Sequence, residues 1–175
     1  MPFVPQGFEP PEPPETARFR LEPLGPQHNE RDYAAWTSSI DHIRSTADFR
    51  ESSWPHPMSL DENRADLERH ARDFAERKGF TYSVLEPETD DVIGCVYLYP
   101  SKDGGGVDAR SWVRADRAEL DGELRTLVAA WLRERWPFEI ARPTVSEMTA
   151  QLRTRTPTQL STATVEALDE GRQER

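Results

Sequence analysis

At 175 residues and 20.1 kDa the chain holds one full domain with little to spare. A formal net charge of −10 repels phosphate backbones at long range, which argues against DNA or RNA as a partner. Mean hydropathy is −0.80, yet five Trp, four Tyr and seven Phe suffice to anchor a core, and the most continuous apolar run, Val92 to Tyr99, falls far short of the ~20 residues of a membrane span.

Proline takes six of the first fourteen positions, which disfavours helix and central strand and predicts an extended, disordered arm over residues 1–17. That stretch has neither a basic nor an apolar segment of the kind a leader needs, so a cytoplasmic protein is expected. Phe19 to Leu24 alternates as a strand, closed by Gly25-Pro26. Asn29 is placed to cap a helix whose stripe is Tyr33, Trp36, Ile40 and Ile43, ending near Ser45 or Thr46. After the link Trp54-Pro55-His56-Pro57, Ser59 and Glu62 form a capping box, and Leu60, Leu67, Ala71 and Phe74 predict a buried stripe on a second helix that stops at Gly79.

The period then changes. Phe80 to Leu85 and Val92 to Tyr99 read as a central hairpin, and Val107 to Arg114 as a fourth strand after a glycine loop. Leu120, Leu124, Leu127, Val128, Trp131 and Leu132 set a third helix that Pro137 terminates, and Phe138 to Ala141 starts a fifth strand. From Thr144 onward aromatic residues vanish and polar ones recur, so residues 144–175 read as a flexible tail behind a domain of 18–143. Cys95 lies in the most apolar strand, where a thiol is inert packing, and no Cys/His cluster has zinc spacing, so no metal site is expected. His42 and His56 suit surface or capping roles, while Trp36 and Trp54 suit either core anchors or walls of an acceptor pocket. Lysine occurs only at Lys78 and Lys102, an arginine bias that points to a GC-rich, bacterial genome.

The order β-α-α-β-β-β-α-β is that of an α+β domain with a mostly antiparallel central sheet. This order, the hairpin strand Asp91-Val92-Ile93-Gly94-Cys95-Val96-Tyr97-Leu98, and Trp112-Val113-Arg114 running directly into a helix resemble the GNAT superfamily of acyl-CoA-dependent N-acyltransferases, in particular its short bacterial members with a truncated C-terminal part. The resemblance covers roughly residues 18–143. It implies acetyl-CoA as co-substrate, held where the fourth and fifth strands splay apart. Pantetheine would pair with Ser111 to Arg114, including Trp112 and Val113, and pyrophosphate would lie on the loop that opens the third helix. The family's Q/R-x-x-G-x-G/A pattern falls on Arg117, Leu120 and Gly122, with leucine in place of the first glycine.

That leucine either turns into the helix interface or blocks the ligand, and the loop is acidic, with Asp116, Glu119, Asp121 and Glu123 against Arg114, Arg117 and Arg125. Such acids equally serve as helix-capping residues with no ligand. The reaction the resemblance implies is attack of an amine on a thioester, needing a base and an oxyanion donor. Val113 N–H is the candidate donor. Asp108 and Glu139 are candidates for the base by position, and each also fits a solvated strand residue. Two readings follow: an N-acetyltransferase for a small-molecule or peptide amine, drawn in by acidic residues, and a degenerate binding or regulatory module that does not bind acetyl-CoA. An uncovered fifth-strand edge would favour a homodimer.

Overall fold

The computed structural model describes residues 3–102 and 106–138, which fall within one compact unit. Strand β1 spans Arg20–Pro23, β2 Phe80–Leu85, β3 Val92–Pro100 and β4 Val107–Val113. They form one antiparallel sheet in the order β1-β2-β3-β4. Helices α1 (Asn29–Thr37), α2 (Ile40–Ser45) and α3 (Leu60–Ala75) precede β2, and α4 (Asp121–Arg135) follows β4. The architecture is the mixed α+β one expected. The fifth strand, Glu139 and the 144–175 tail lie outside the described residues; Phe138, the one described position of that strand, is not in a strand.

Alternation along the strands sends one set of side chains to each face. Tyr82, Val84, Val96, Leu98 and Val113 join Leu124, Val128 and Trp131 of α4 in one core cluster. Cys95 and Trp112 join Ala35 and Trp36 of α1, Ile43 of α2 and Leu67 of α3 in the other.

The first helix breaks after Thr37 because consecutive hydroxyls turn back on it: Thr37 Oγ1 donates to Tyr33 O at 2.6 Å and Ser38 Oγ to Ala35 O at 2.9 Å. The apolar spacing of Tyr33, Trp36, Ile40 and Ile43 runs across the break and conceals it. Asn29 is no cap; it is buried, donating to Leu60 O at 3.2 Å, and helix α1 has no side-chain cap. The Ser59–Glu62 capping box is present, with Glu62 N donating to Ser59 Oγ at 3.2 Å.

Leu60 is 39% exposed and does not belong to the buried stripe. The inward face of α3 is instead Asn63, Leu67 and His70, a helical period carried by polar residues. The helix ends at Ala75, short of the expected stop at Gly79, and Arg77 takes a left-handed turn (φ 57°) just beyond it. Gly79 serves another purpose: a Cβ there would lie 2.3 Å from the Tyr99 ring.

The proline-rich segment does not leave the body as a disordered arm. Val4 is buried, Phe3 and Phe8 pack on the α4 side of the sheet, and Trp131 Nε1 donates to Glu12 O at 3.1 Å. Arg77 Nε donates to Phe8 O at 2.7 Å. Extended proline-rich backbone satisfies few of its own polar groups, but these apolar anchors and outside donors hold it in place.

Candidate active site

A cavity of about 750 Å³ opens between α3, the segment preceding it, and the β3–β4 sheet face. Its walls are Phe49, Trp54 and Met58 on one side and Tyr97, Tyr99, Asp108 and Arg110 on the sheet; α3 contributes Glu62, Asp66, Arg69 and His70. The open reading of the two tryptophans is resolved by place. Trp36 is 1% exposed and donates to Asn63 Oδ1 at 2.9 Å, an anchor of the core, whereas Trp54 packs its ring 6.0 Å from Trp112 and 5.3 Å from Phe49 and lines the cavity.

Two of the three acids in the cavity are matched by arginines. Asp108 accepts from Arg110 Nε at 3.1 and 3.2 Å and from Nη2 at 2.6 Å, which commits both oxygens of this one of the two candidate bases. Asp66 Oδ1 accepts from Arg69 Nη2 at 2.5 Å. Burial opposes the charge of Asp66, but His70 and Arg69 beside it carry its pKa down to about 2. Asp32, behind the cavity in the α1–α3 interface, accepts from Asn63 Nδ2 at 3.1 Å, its one side-chain donor among the described residues. Burial therefore dominates there and raises its pKa to about 6.

His70 escaped the sequence reading although its spacing from Leu67 and Asn63 places it on the buried face. Its Nδ1 lies 2.8 Å from Tyr99 Oη and 3.1 Å from Thr81 Oγ1. Tyr99 Oη donates to Asp73 Oδ2 at 2.9 Å, and burial followed by Asp73 pushes its pKa to about 12.

The other half of the site is the outer edge of β4, beside which no strand lies among the described residues. Arg114 N bonds to Ile93 O, so residues 114, 112 and 110 turn their polar backbone toward β3, and Ala109, Ser111 and Val113 turn theirs outward. This parity excludes Trp112 as a backbone ligand for pantetheine, and its side chain is fully buried with Nε1 donating to Tyr97 Oη at 3.2 Å. Arg114 turns its N–H inward too, while its guanidinium pairs with Asp116 at 2.7 Å. Beside the outward edge runs a groove of about 180 Å³ between β4 and α4, lined by Ala109, Ser111, Val128 and Leu132. Arg110 borders both groove and cavity.

Across this edge lies the stretch that follows α2. Asp48 Oδ2 accepts the Ser111 N–H at 3.1 Å, and its Oδ1 accepts from Arg125 Nη1 at 3.2 Å. The expected anion loop is a 3₁₀ turn, Ala115–Leu120, that leads into α4. Leu120 turns into the core, 6% exposed, which resolves the alternative between interface and obstruction. Gly122 is open: a Cβ added there meets nothing within 4 Å. Arg117 is held by Glu86 at 3.2 Å and Asp116 at 3.2 Å. His42 Nε2 lies 3.0 Å from Asp121 Oδ2 and ties α2 to the start of α4. Cys95 is fully buried, and burial raises its thiol pKa. Among the described residues no cluster of metal-ligating side chains occurs, and no helix is long and apolar enough to cross a membrane.

No protein-family model matches the sequence, and no curated protein matches it. Solved structures do. A protein from Vibrio cholerae assigned as a ribosomal-protein-serine acetyltransferase superposes with a TM-score of 0.55 over 79% of each chain at 16% identity. An acetyltransferase from Salmonella typhimurium that modifies the N-terminal serine of ribosomal protein L7/L12 gives 0.52 at 10% identity, covering 69% of this chain and 67% of its own. The microcin C7 self-immunity acetyltransferase MccE, solved with acetyl-CoA and AMP, gives 0.52 at 13% identity, covering 69% and 66%. The chain has the fold of the GNAT acetyltransferases.

Proposed function

We propose that the protein is an acetyl-CoA-dependent N-acetyltransferase for a small-molecule or peptide amine. The observation that carries this reading is the adjacency of two features: an aromatic-walled cavity, and the outward N–H groups of β4 over an apolar groove on the other side of Arg110. Acetyl-CoA supplies the acyl group as a thioester. The N–H groups of Ala109, Ser111 and Val113 suit the amides of its pantetheine and the thioester carbonyl once Asp48 withdraws, and the outward N–H nearest the cavity becomes the donor for the developing oxyanion. The start of α4 at Gly122 leaves room for the pyrophosphate, and Arg117 can exchange Glu86 for it. The amine enters the cavity, where Glu62 and the paired Asp66 and Asp108 offer acceptors and Trp54 and Tyr97 offer ring faces.

The second reading, a GNAT-fold binding module without acetyl-CoA, draws on a specific observation too: Asp48 holds the central edge N–H and acids hold Arg117. Calorimetric titration with acetyl-CoA separates the two. Because a Cβ at Gly122 meets no atom of the described residues within 4 Å, Gly122→Val is expected to keep the fold while intruding on a pyrophosphate. The expected result is saturable wild-type binding, weakened roughly tenfold or more in Gly122→Val at unchanged thermal stability. Absence of wild-type binding overturns the enzyme reading in favour of the module.

A further inference from the structure

His70 sits in the cavity wall with its side chain 8% exposed, and its tautomer follows from counting protons. Tyr99 has one hydroxyl proton, and Asp73 Oδ2, a carboxylate oxygen that only accepts, receives it at 2.9 Å. Tyr99 Oη therefore accepts at its second contact, and the proton between it and His70 belongs to Nδ1. Thr81 Oγ1 also lies on that side of the ring. The lone pair of the neutral imidazole is thus on Nε2. This nitrogen lies 3.2 Å from Arg69 Nη2 and 3.5 Å from Asp66 Oδ2, two groups that line the cavity.

We propose that His70 Nε2 is the general base that takes the proton from the attacking amine, with Tyr99 and Asp73 as positioning residues that hold its tautomer. The assignment rests on the reading of the cavity as an acceptor site. In the step, the neutral amine nitrogen bonds to the thioester carbonyl carbon and its proton passes to Nε2. The carbon–sulfur bond breaks, and the departing thiolate takes that proton back from the imidazolium. The products are the amide and coenzyme A, with no net change at His70. Asp66 Oδ2 and Arg69 Nη2 both face this nitrogen, and Arg69 donates to its lone pair until the amine takes that place. Asp73 acts through Tyr99, while Tyr97 and Thr81 border the ring without charge. An aspartate, an imidazole and a tyrosine–aspartate pair thus form the same base-and-orienter arrangement that activates nucleophiles elsewhere.

The test uses the full chain with acetyl-CoA and a panel of arylalkyl primary amines and serine-terminated peptides, following release of free thiol. His70→Asn keeps a donor to Tyr99 in place of Nδ1, and its kcat is expected to fall roughly 10²-fold or more at unchanged acetyl-CoA affinity. In His70→Ala, added imidazole restores part of the rate. Tyr99→Phe is expected to lower kcat roughly tenfold and to shift the pH profile, and long-range ¹H–¹⁵N spectra should change its His70 ring from Nδ1-protonated to a tautomer mixture. Wild-type rates in His70→Asn, or a wild-type ring protonated at Nε2, overturn the assignment and leave acetyl transfer standing. Bound acetyl-CoA with no turnover on any amine overturns acetyl transfer and the base together.

Discussion

At the scale of single residues, the α1–α3 interface stores a pH dependence in Asp32. The carboxyl is 5% exposed and accepts from Asn63, while Asp66 adds like charge nearby. Its pKa of about 6 in the folded chain lies above the ordinary value of 3.8. The folded state therefore binds the proton more tightly than the unfolded chain. The ionised group costs nothing below the ordinary value, and the cost grows as pH rises between the two values and is complete above the folded one. Two units correspond to roughly 3 kcal/mol. Asp32→Asn keeps an oxygen for Asn63 and removes the charge. Its stability relative to wild type, from urea unfolding, should thus be greater by roughly 2–3 kcal/mol at pH 8 than at pH 4.5. An equal difference at the two pH values would mean that Asp32 is solvated or otherwise paired. Gly79 makes a second claim at this scale. With the Tyr99 ring 2.3 Å from where a Cβ would lie, Gly79→Ala should move that ring and lower the thermal midpoint, through overpacking that costs roughly 1–3 kcal/mol. A melting curve that matches wild type would show that the ring adapts freely.

At the scale of elements, Asp48 in the stretch after α2 takes the Ser111 N–H of the β4 edge, for which the proposed co-substrate would compete. Asp48 satisfies Ser111 N–H and Arg125 in the free protein, contacts that stabilise the fold but occupy the edge that the proposed co-substrate requires. Asp48→Ala should accordingly change two quantities in opposite directions. The thermal midpoint falls, since a hydrogen bond to a charged group contributes roughly 1.5–3 kcal/mol, and acetyl-CoA affinity rises severalfold. A fall in both would make Asp48 part of the binding site, not a competitor. None of this was legible in the sequence, because Asp48 is 63 positions from Ser111 and no local pattern joins them. Local patterns did place β2, β3, β4 and α4, whose alternation and helical period are carried by apolar residues. They failed on the inward face of α3, because Asn63 and His70 are buried through hydrogen bonds that only the fold brings together. Leu120 shows the same limit: its motif position suggested a ligand loop, and its burial among Leu124 and Val128 decides that it packs.

At the scale of the whole molecule, the largest departure from the sequence reading is the proline-rich start. Proline predicts extended backbone correctly but is silent about where that backbone lies. Phe3, Val4 and Phe8 were the overlooked signal, three large apolar residues in a segment too short to bury them on its own. They close the α4 side of the sheet: the Phe3 ring lies 5.8 Å from Phe80, and the Phe8 ring 5.5 Å from Trp136. Fully burying an apolar side chain contributes roughly 1.5–3 kcal/mol, and two of these three are only partly buried. Removal of residues 2–17 is therefore expected to cost about 3–5 kcal/mol in urea unfolding. It should also leave the tryptophan fluorescence of the folded state red-shifted, as Trp131 loses Glu12 O and Trp136 loses its cover. A free arm would behave otherwise: the shortened chain would unfold within about 0.5 kcal/mol of the full one, with the same emission maximum. The two outcomes differ by several times the error of such an extrapolation, so a single pair of unfolding curves decides whether the first seventeen residues belong to the fold.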